Sequence, residues 1–155
     1  MNSNDSKQLP EPRIAVFYCR QGHNGLPLGD FKPILQEPPV HKVHYICAHE
    51  VTTDHLRKAF AAGADGILLY GCLVRDCRTE ADNLAVLRSL YRNTRMVKAL
   101  GLSPLRLREE WATQEGTDHL RTVIGDFAAQ LSLLGPARSE QVKAQAGPRK
   151  REGRA

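Results

Sequence analysis

The amino-acid sequence predicts an α/β fold, a small parallel sheet of about four strands with helices on both faces. Three observations lead there. Short apolar runs alternate with amphipathic helical stretches; one run is apolar throughout, as a strand covered on both faces must be; and glycine- or capping-type residues punctuate the boundaries. Strand then helix, repeated, calls for crossover connections, and those join parallel neighbours.

In chain order, Arg13-Ile14-Ala15-Val16-Phe17-Tyr18 is a β-branched and aromatic run ending at Cys19. Residues 20 to 40 read as irregular, with Pro27, Pro33, Pro38 and Pro39 and at most a turn or two of helix. Lys42-Val43-His44-Tyr45-Ile46 is a second strand, ending at Cys47. A helix then starts with Thr53 or Asp54 as N-cap, turns Leu56, Ala59 and Phe60 to one face, and stops at Gly63. Gly66-Ile67-Leu68-Leu69-Tyr70 is the continuously apolar strand and leads into Gly71-Cys72. Thr79 with Asp82 forms a capping box for a longer helix that points Leu84, Leu87, Leu90 and Tyr91 one way and closes at Gly101. Leu105-Arg106-Leu107-Arg108-Glu109 alternates, the pattern of an edge strand with one wet side. A final helix carries Leu120, Val123, Ile124, Phe127, Leu131 and Leu134 at helical spacing before Gly135-Pro136. The arrangement is flavodoxin-like or Rossmann-like, and strand order does not follow from the sequence.

Length and composition fit one domain. The chain has 155 residues, 41% of them apolar, enough for a single core. Its longest apolar run, Gly66 to Val74, is about half of the roughly 18 residues that a membrane span requires. Residues 1–12 are polar and read as a disordered leader without the apolar stretch of a secretory signal, which predicts a cytoplasmic protein. Residues 13–136 form the predicted domain. The net charge of +5 sits mostly in residues 137–155, where six basic residues oppose Glu140 and Glu152. That basic, low-complexity segment is expected to be disordered, either a solubilising tail or a contact for an acidic partner or nucleic acid.

Four cysteines carry the chemical signal. In a reducing compartment structural disulfides are rare, so four thiols point to a metal, a redox role, or plain space-filling. Cys19, Cys47 and Cys72 each follow a predicted strand, and Cys77 follows Cys72 after four residues. Parallel strands would deliver all four to the carboxyl edge of one sheet, where ligands of open α/β sheets bind. Four thiolates suit a [2Fe–2S] or [4Fe–4S] cluster, and Cys-x4-Cys is a spacing that cluster loops use. A structural zinc takes the same ligands, although zinc ribbons usually supply two short knuckles where this chain has one. A non-redox module stapled by zinc, or a thiol oxidoreductase working through Cys72 and Cys77, therefore stays open beside a cluster protein. Arg20, Arg75 and Arg78 flank the cysteines and would favour thiolate, or simply face solvent.

The same region resembles a known family. Gly63-Ala64-Asp65-Gly66-Ile67-Leu68-Leu69-Tyr70-Gly71-Cys72, Asp76-Cys77, Asn83 and Arg106-Leu107-Arg108-Glu109-Glu110-Trp111 are similar to the delta, or iron–sulfur, subunit of methyl-viologen-reducing hydrogenase, over about residues 13 to 136. The resemblance implies a small α/β protein with a [2Fe–2S] cluster on Cys19, Cys47, Cys72 and Cys77. It further implies an electron relay between a hydrogenase or other electron-input module and a flavin-containing heterodisulfide reductase-like partner, with no catalytic residue of its own. The chain departs from the family where Tyr18 and Gly22 flank the first cysteine and where Leu73 and Arg78 stand in place of the usual histidines.

Other features are weaker. Gly22, Gly25 and Gly29 match no phosphate-loop spacing and read as a flexible loop. His23 and His49 could replace a thiolate as in Rieske centres, but four cysteines make surface histidines the simpler reading. Arg88, Arg92 and Arg95 make a basic stripe, either a solvated helix face or a dock for an acidic partner. Trp111 reads as rim or core packing just beyond the last strand.

Overall fold

The structure is a computed structural model that describes residues 10–18, 28–47, 50–71, 83–112 and 116–138. In chain order the elements are β1 (Ile14–Tyr18), α1 (Leu28–Leu35), β2 (Val40–Tyr45), α2 (Thr53–Ala61), β3 (Gly66–Gly71), α3 (Asn83–Ala99), β4 (Leu107–Trp111) and α4 (Thr117–Leu134). All strand pairs are parallel, in the order β2-β1-β3-β4. The chain thus folds as the predicted four-stranded parallel sheet between helices. The order is that of a flavodoxin-like sheet, in which the chain builds outward from β1 to β2 and then switches to the other side of β1 for β3.

Period-two alternation explains why both faces are filled. Ile14, Val16, Tyr18, Leu68 and Tyr70 pack against α1 and α4 through Phe31, Ile34, Leu120, Val123, Phe127 and Leu131. The alternate residues Ala15, Phe17, Ile67 and Leu69 meet Leu56, Ala59, Phe60 and Val97 on the opposite face. Every residue of β1 and β3 is buried, which accounts for their unbroken apolar sequences.

Gly66 sets how closely α4 approaches. A Cβ there would stand 2.5 Å from Leu131 Cδ1 and 2.7 Å from Phe127 Cζ, so the absent side chain lets these two residues pack on β3. Gly63, at φ +103°, supplies the left-handed turn out of α2, as its place in the sequence predicts.

Several details differ from the sequence reading. Gly29, expected in a flexible loop, lies within α1. The N-cap of α2 is Thr52, not Thr53 or Asp54: its Oγ1 accepts from the His55 amide at 3.4 Å, and its own amide donates to His55 Nδ1 at 2.9 Å. Histidine here fills the reciprocal role that Glu or Gln plays in the usual capping box. β4 starts at Leu107, because Pro104–Arg106 first makes a 3-10 turn capped by Ser103. Trp111 is the last residue of that strand. Arg106, read as a strand residue, is fully buried and donates to the Asp65 carbonyl at 3.0 Å and the Leu134 carbonyl at 3.4 Å, tying the approach to β4 to the start of β3 and the end of α4. Leu90 and Tyr91 are exposed, and among the described side chains of α3 Asn93 and Val97 are the buried ones. The side chains of Leu84 and Leu87, and the Thr79–Asp82 capping box, lie outside the described residues. Ala137, the first residue of the basic tail as read from sequence, is buried, and its amide donates to Asp65 Oδ1 at 3.1 Å. Among the described residues no helix is long and apolar enough to cross a membrane.

Candidate functional site

The carboxyl edge of the sheet is where β1, β2 and β3 finish together. Tyr18 is in register with Tyr45 on one side and Tyr70 on the other. The chain therefore leaves the three strands from adjacent points, each about 5 Å from its neighbour. Two backbone bonds pin these exits. The Ile46 amide donates to the Tyr18 carbonyl at 3.1 Å, and the Ala112 amide donates to the Gly71 carbonyl at 2.7 Å. Those carbonyls belong to the residues immediately before Cys19 and Cys72.

Cys47 is the one candidate ligand among the described residues. It is half-buried, one residue beyond the Ile46 that is bonded to β1, and its carbonyl accepts from the Glu50 amide at 2.8 Å. Cys19, Cys72 and Cys77 lie outside the described residues, as do Arg20, Gly22, Gly25, His23, His49, Leu73, Arg75 and Arg78. Among the described residues no three His, Cys, Asp or Glu side chains gather as metal ligands. A four-cysteine centre would draw three of its donors from the segments that follow β1 and β3.

Below this edge lies an aromatic layer that the sequence reading missed. The Tyr18 and Tyr70 rings are parallel, with centroids 5.8 Å apart, and Phe31 tilts against Tyr18 at 5.5 Å. Tyr70 Oη and His119 Nδ1 are 3.0 Å apart, so α4 is tied to the end of β3. Burial, with the Glu110 carboxylate as a lesser contribution, pushes the Tyr70 phenol up to about 12, so it keeps its proton at neutral pH. On the other face Phe17 stacks on His44 at 4.6 Å, and burial holds that imidazole below its ordinary value, reinforced by Lys42 and His55. Both faces next to the edge thus carry aromatic side chains. A signal existed: each of the three strands carries a tyrosine one or two residues before its cysteine.

Soft sulfur donors, neighbouring strand ends and an aromatic floor fit an iron–sulfur group chemically. The edge strand β4 is different in character. Glu109 falls on the same side as Leu107 and faces α3, where burial raises its carboxyl above the usual range while a hydrogen bond from Asn93 acts in the opposite direction. A carboxyl group thus continues the side of the alternation expected to be apolar. Arg108 and Glu110 pair with each other at 2.8 Å on the opposite face.

The family model for the delta subunit of methyl-viologen-reducing hydrogenase matches residues 14–135. Among curated proteins the chain is similar to the iron–sulfur subunit of the vhc F420-non-reducing hydrogenase from Methanococcus voltae, 24% identical over 81% of this chain and 88% of the other. It is 30% identical to an F420-non-reducing hydrogenase iron–sulfur subunit from Archaeoglobus profundus, over 67% of this chain and 76% of the other. It is also 26% identical, over 83% of its length, to part of a ferredoxin/F420H2-dependent CoB-CoM heterodisulfide reductase subunit from Methanosarcina acetivorans, where it spans only 16% of that protein.

Proposed function

The chain belongs to the methyl-viologen-reducing hydrogenase delta subunit family, and from that premise we propose that it is an electron-transfer protein holding a [2Fe–2S] cluster on Cys19, Cys47, Cys72 and Cys77. It would receive electrons from a hydrogenase or another input module and pass them to a flavin-containing heterodisulfide reductase-like partner. The observation that carries the reading is the common finish of β1, β2 and β3, with Tyr18, Tyr45 and Tyr70 in register beside the cysteine-bearing segments.

A bound cluster supplies reversible one-electron chemistry. The remaining work falls to the chain's own residues. The four thiols would hold the group as thiolates. Tyr18, Tyr70 and Phe31 would exclude water from beneath it, and a dry, weakly polar floor strengthens every nearby electrostatic effect on its potential. The Tyr70–His119 bond would fix the strand end from which Cys72 continues. Residues 13–136 would form the working domain, flanked by residues 1–12 and 137–155, and a cytoplasmic setting would keep the thiols reduced.

The names of the relatives support this choice of partner. Two are named iron–sulfur subunits of hydrogenases, and the third bears a similar segment within a heterodisulfide reductase protein itself. A unit that occurs both free and as part of that reductase is suited to work against it. The test is rapid mixing of the dithionite-reduced chain, freed of excess reductant, with the oxidised flavin-containing heterodisulfide reductase protein from the same organism. Bleaching of the flavin, with loss of the reduced-cluster EPR signal, is the expected result. A flavin that stays oxidised beside a fully reduced chain would refute the relay.

A further inference from the structure

Among the residues of helix α3 whose side chains are described, the fully buried ones lie on one side. Asn93 and Val97 are fully buried, and Val97 joins the core formed with α2 and the sheet. At about 100° per residue, the opposite side of the cylinder carries Arg88, Tyr91, Arg95 and Lys98. All four are exposed, Tyr91 by 66%. Leu90, 39% exposed, lies on the Asn93 and Val97 side of the helix and is not part of this face.

Two features separate this face from an ordinary solvated helix. The first is charge. Between Asn83 and Ala99 there is no acidic residue, and among the described residues no carboxylate pairs with Arg88, Arg95 or Lys98. Cations on other elements do have such partners: Arg57 and Lys58 pair with Asp54, Arg108 with Glu110, and Arg121 with Glu37. The second is the exposed ring amid these cations. The Arg95 guanidinium lies 5.7 Å from the centroid of Tyr91, which pre-orients both side chains and lowers the entropy lost when they are covered. Tyrosine and arginine are among the residues that carry most binding energy at protein interfaces, and an exposed Tyr91 ring asks for an apolar socket that a phosphate backbone does not offer.

Position supplies the link to function. The far end of α3 leads through the 3-10 turn to the start of β4, which lies at the amino edge of a parallel sheet. A helix of 17 residues is about 25 Å long, so Asn83 stands well toward the carboxyl edge, with Arg88 in that half and Tyr91 at the midpoint. A protein seated over the Arg88–Tyr91 half of this face would extend toward the cysteine edge, and electron exchange requires such closeness.

We propose that the Arg88–Tyr91–Arg95–Lys98 face of α3 docks the flavin-containing partner, which meets it with an acidic patch surrounding an apolar socket for Tyr91. This rests on the electron-relay reading and names the surface that the relay uses. The test measures the affinity of the full, anaerobically prepared chain for the purified flavin-containing heterodisulfide reductase protein from the same organism. Tyr91→Ala and the double variant Arg88→Glu/Arg95→Glu should each weaken binding about tenfold or more, while Lys32→Glu/Lys42→Glu, the same charge change on another surface, should alter it less than about threefold. Wild-type affinity should fall as NaCl rises from about 50 to about 300 mM. All variants change exposed residues, and circular dichroism and the cluster spectrum verify the fold. Wild-type binding that the α3 variants match would overturn the docking face and leave the relay standing. Absence of wild-type binding would overturn both. If the α3 variants lost affinity for duplex DNA or anionic vesicles and kept it for the reductase, the face would serve another partner and the proposal would fail.

Discussion

Glu109 and Asn93 face each other between β4 and α3, and the pair is imperfectly satisfied: among the described residues Glu109 Oε1 and Asn93 Oδ1 are buried without a partner. Because burial raises the Glu109 carboxyl, the folded chain holds a proton that the unfolded chain releases near the ordinary value of 4.5. Stability linked to this group is therefore full below that value and is lost as the pH rises through the higher folded value. Glu109→Gln removes the ionisation. In urea titrations it should stabilise the protein by about 1 kcal/mol near pH 7, with the advantage shrinking toward about pH 4. Gly66 gives the opposite kind of prediction. Adding one methyl at Gly66→Ala forces Leu131 and Phe127 away from β3 and should cost about 1–3 kcal/mol, seen as a lower thermal midpoint. The sequence made Gly66 visible as part of a motif, but its reason, the approach of a helix about sixty residues later, exists only in three dimensions.

At the scale of elements, the cap of α2 separates two adjacent threonines. Thr52→Ala should lower stability by about 1 kcal/mol through loss of the reciprocal bonds with His55, whereas Thr53→Ala should change it by less than about 0.5 kcal/mol. Denaturant midpoints of the two variants check this directly. The sequence placed α2 correctly to within a residue or two, and its inward residues Leu56, Ala59 and Phe60 are buried as their spacing predicts. In α3 the same reasoning went astray. Periodicity pointed Leu84, Leu87, Leu90 and Tyr91 one way, but Leu90 and Tyr91 are exposed, and a polar residue, Asn93, is buried beside Glu109 of β4. A hydrophobic pattern cannot anticipate a buried polar pair made with a distant strand. The start of β4 was misplaced for a related reason: Arg106 looks like the polar half of an alternation, yet its guanidinium is consumed by the carbonyls of Asp65 and Leu134.

At the scale of the molecule, the α/β architecture was legible because β1 and β3 are apolar along their whole length and the helices between strands have clear ends. The order β2-β1-β3-β4 was not, since it depends on which edges pair and not on any local pattern. The order matters for the site. It puts β1 at the switch point with β2 and β3 on either side, so three chain segments bearing Cys19, Cys47 and Cys72 begin at neighbouring strand ends. The cysteines themselves were evident from sequence, and so were the tyrosines one or two residues before them, but the stacking of Tyr18 on Tyr70 depends on the register of β1 and β3. The central claim is that these strand ends, with Cys77, serve a single inorganic centre, and iron and acid-labile sulfide analysis with EPR on anaerobically prepared protein tests it most directly. The account predicts about two iron and two sulfide per chain in the wild type, and loss of cluster or a changed signal in each of Cys19→Ser, Cys47→Ser, Cys72→Ser and Cys77→Ser. Wild-type protein that takes up zinc or no metal, or any of the four variants retaining an unaltered cluster, would contradict it.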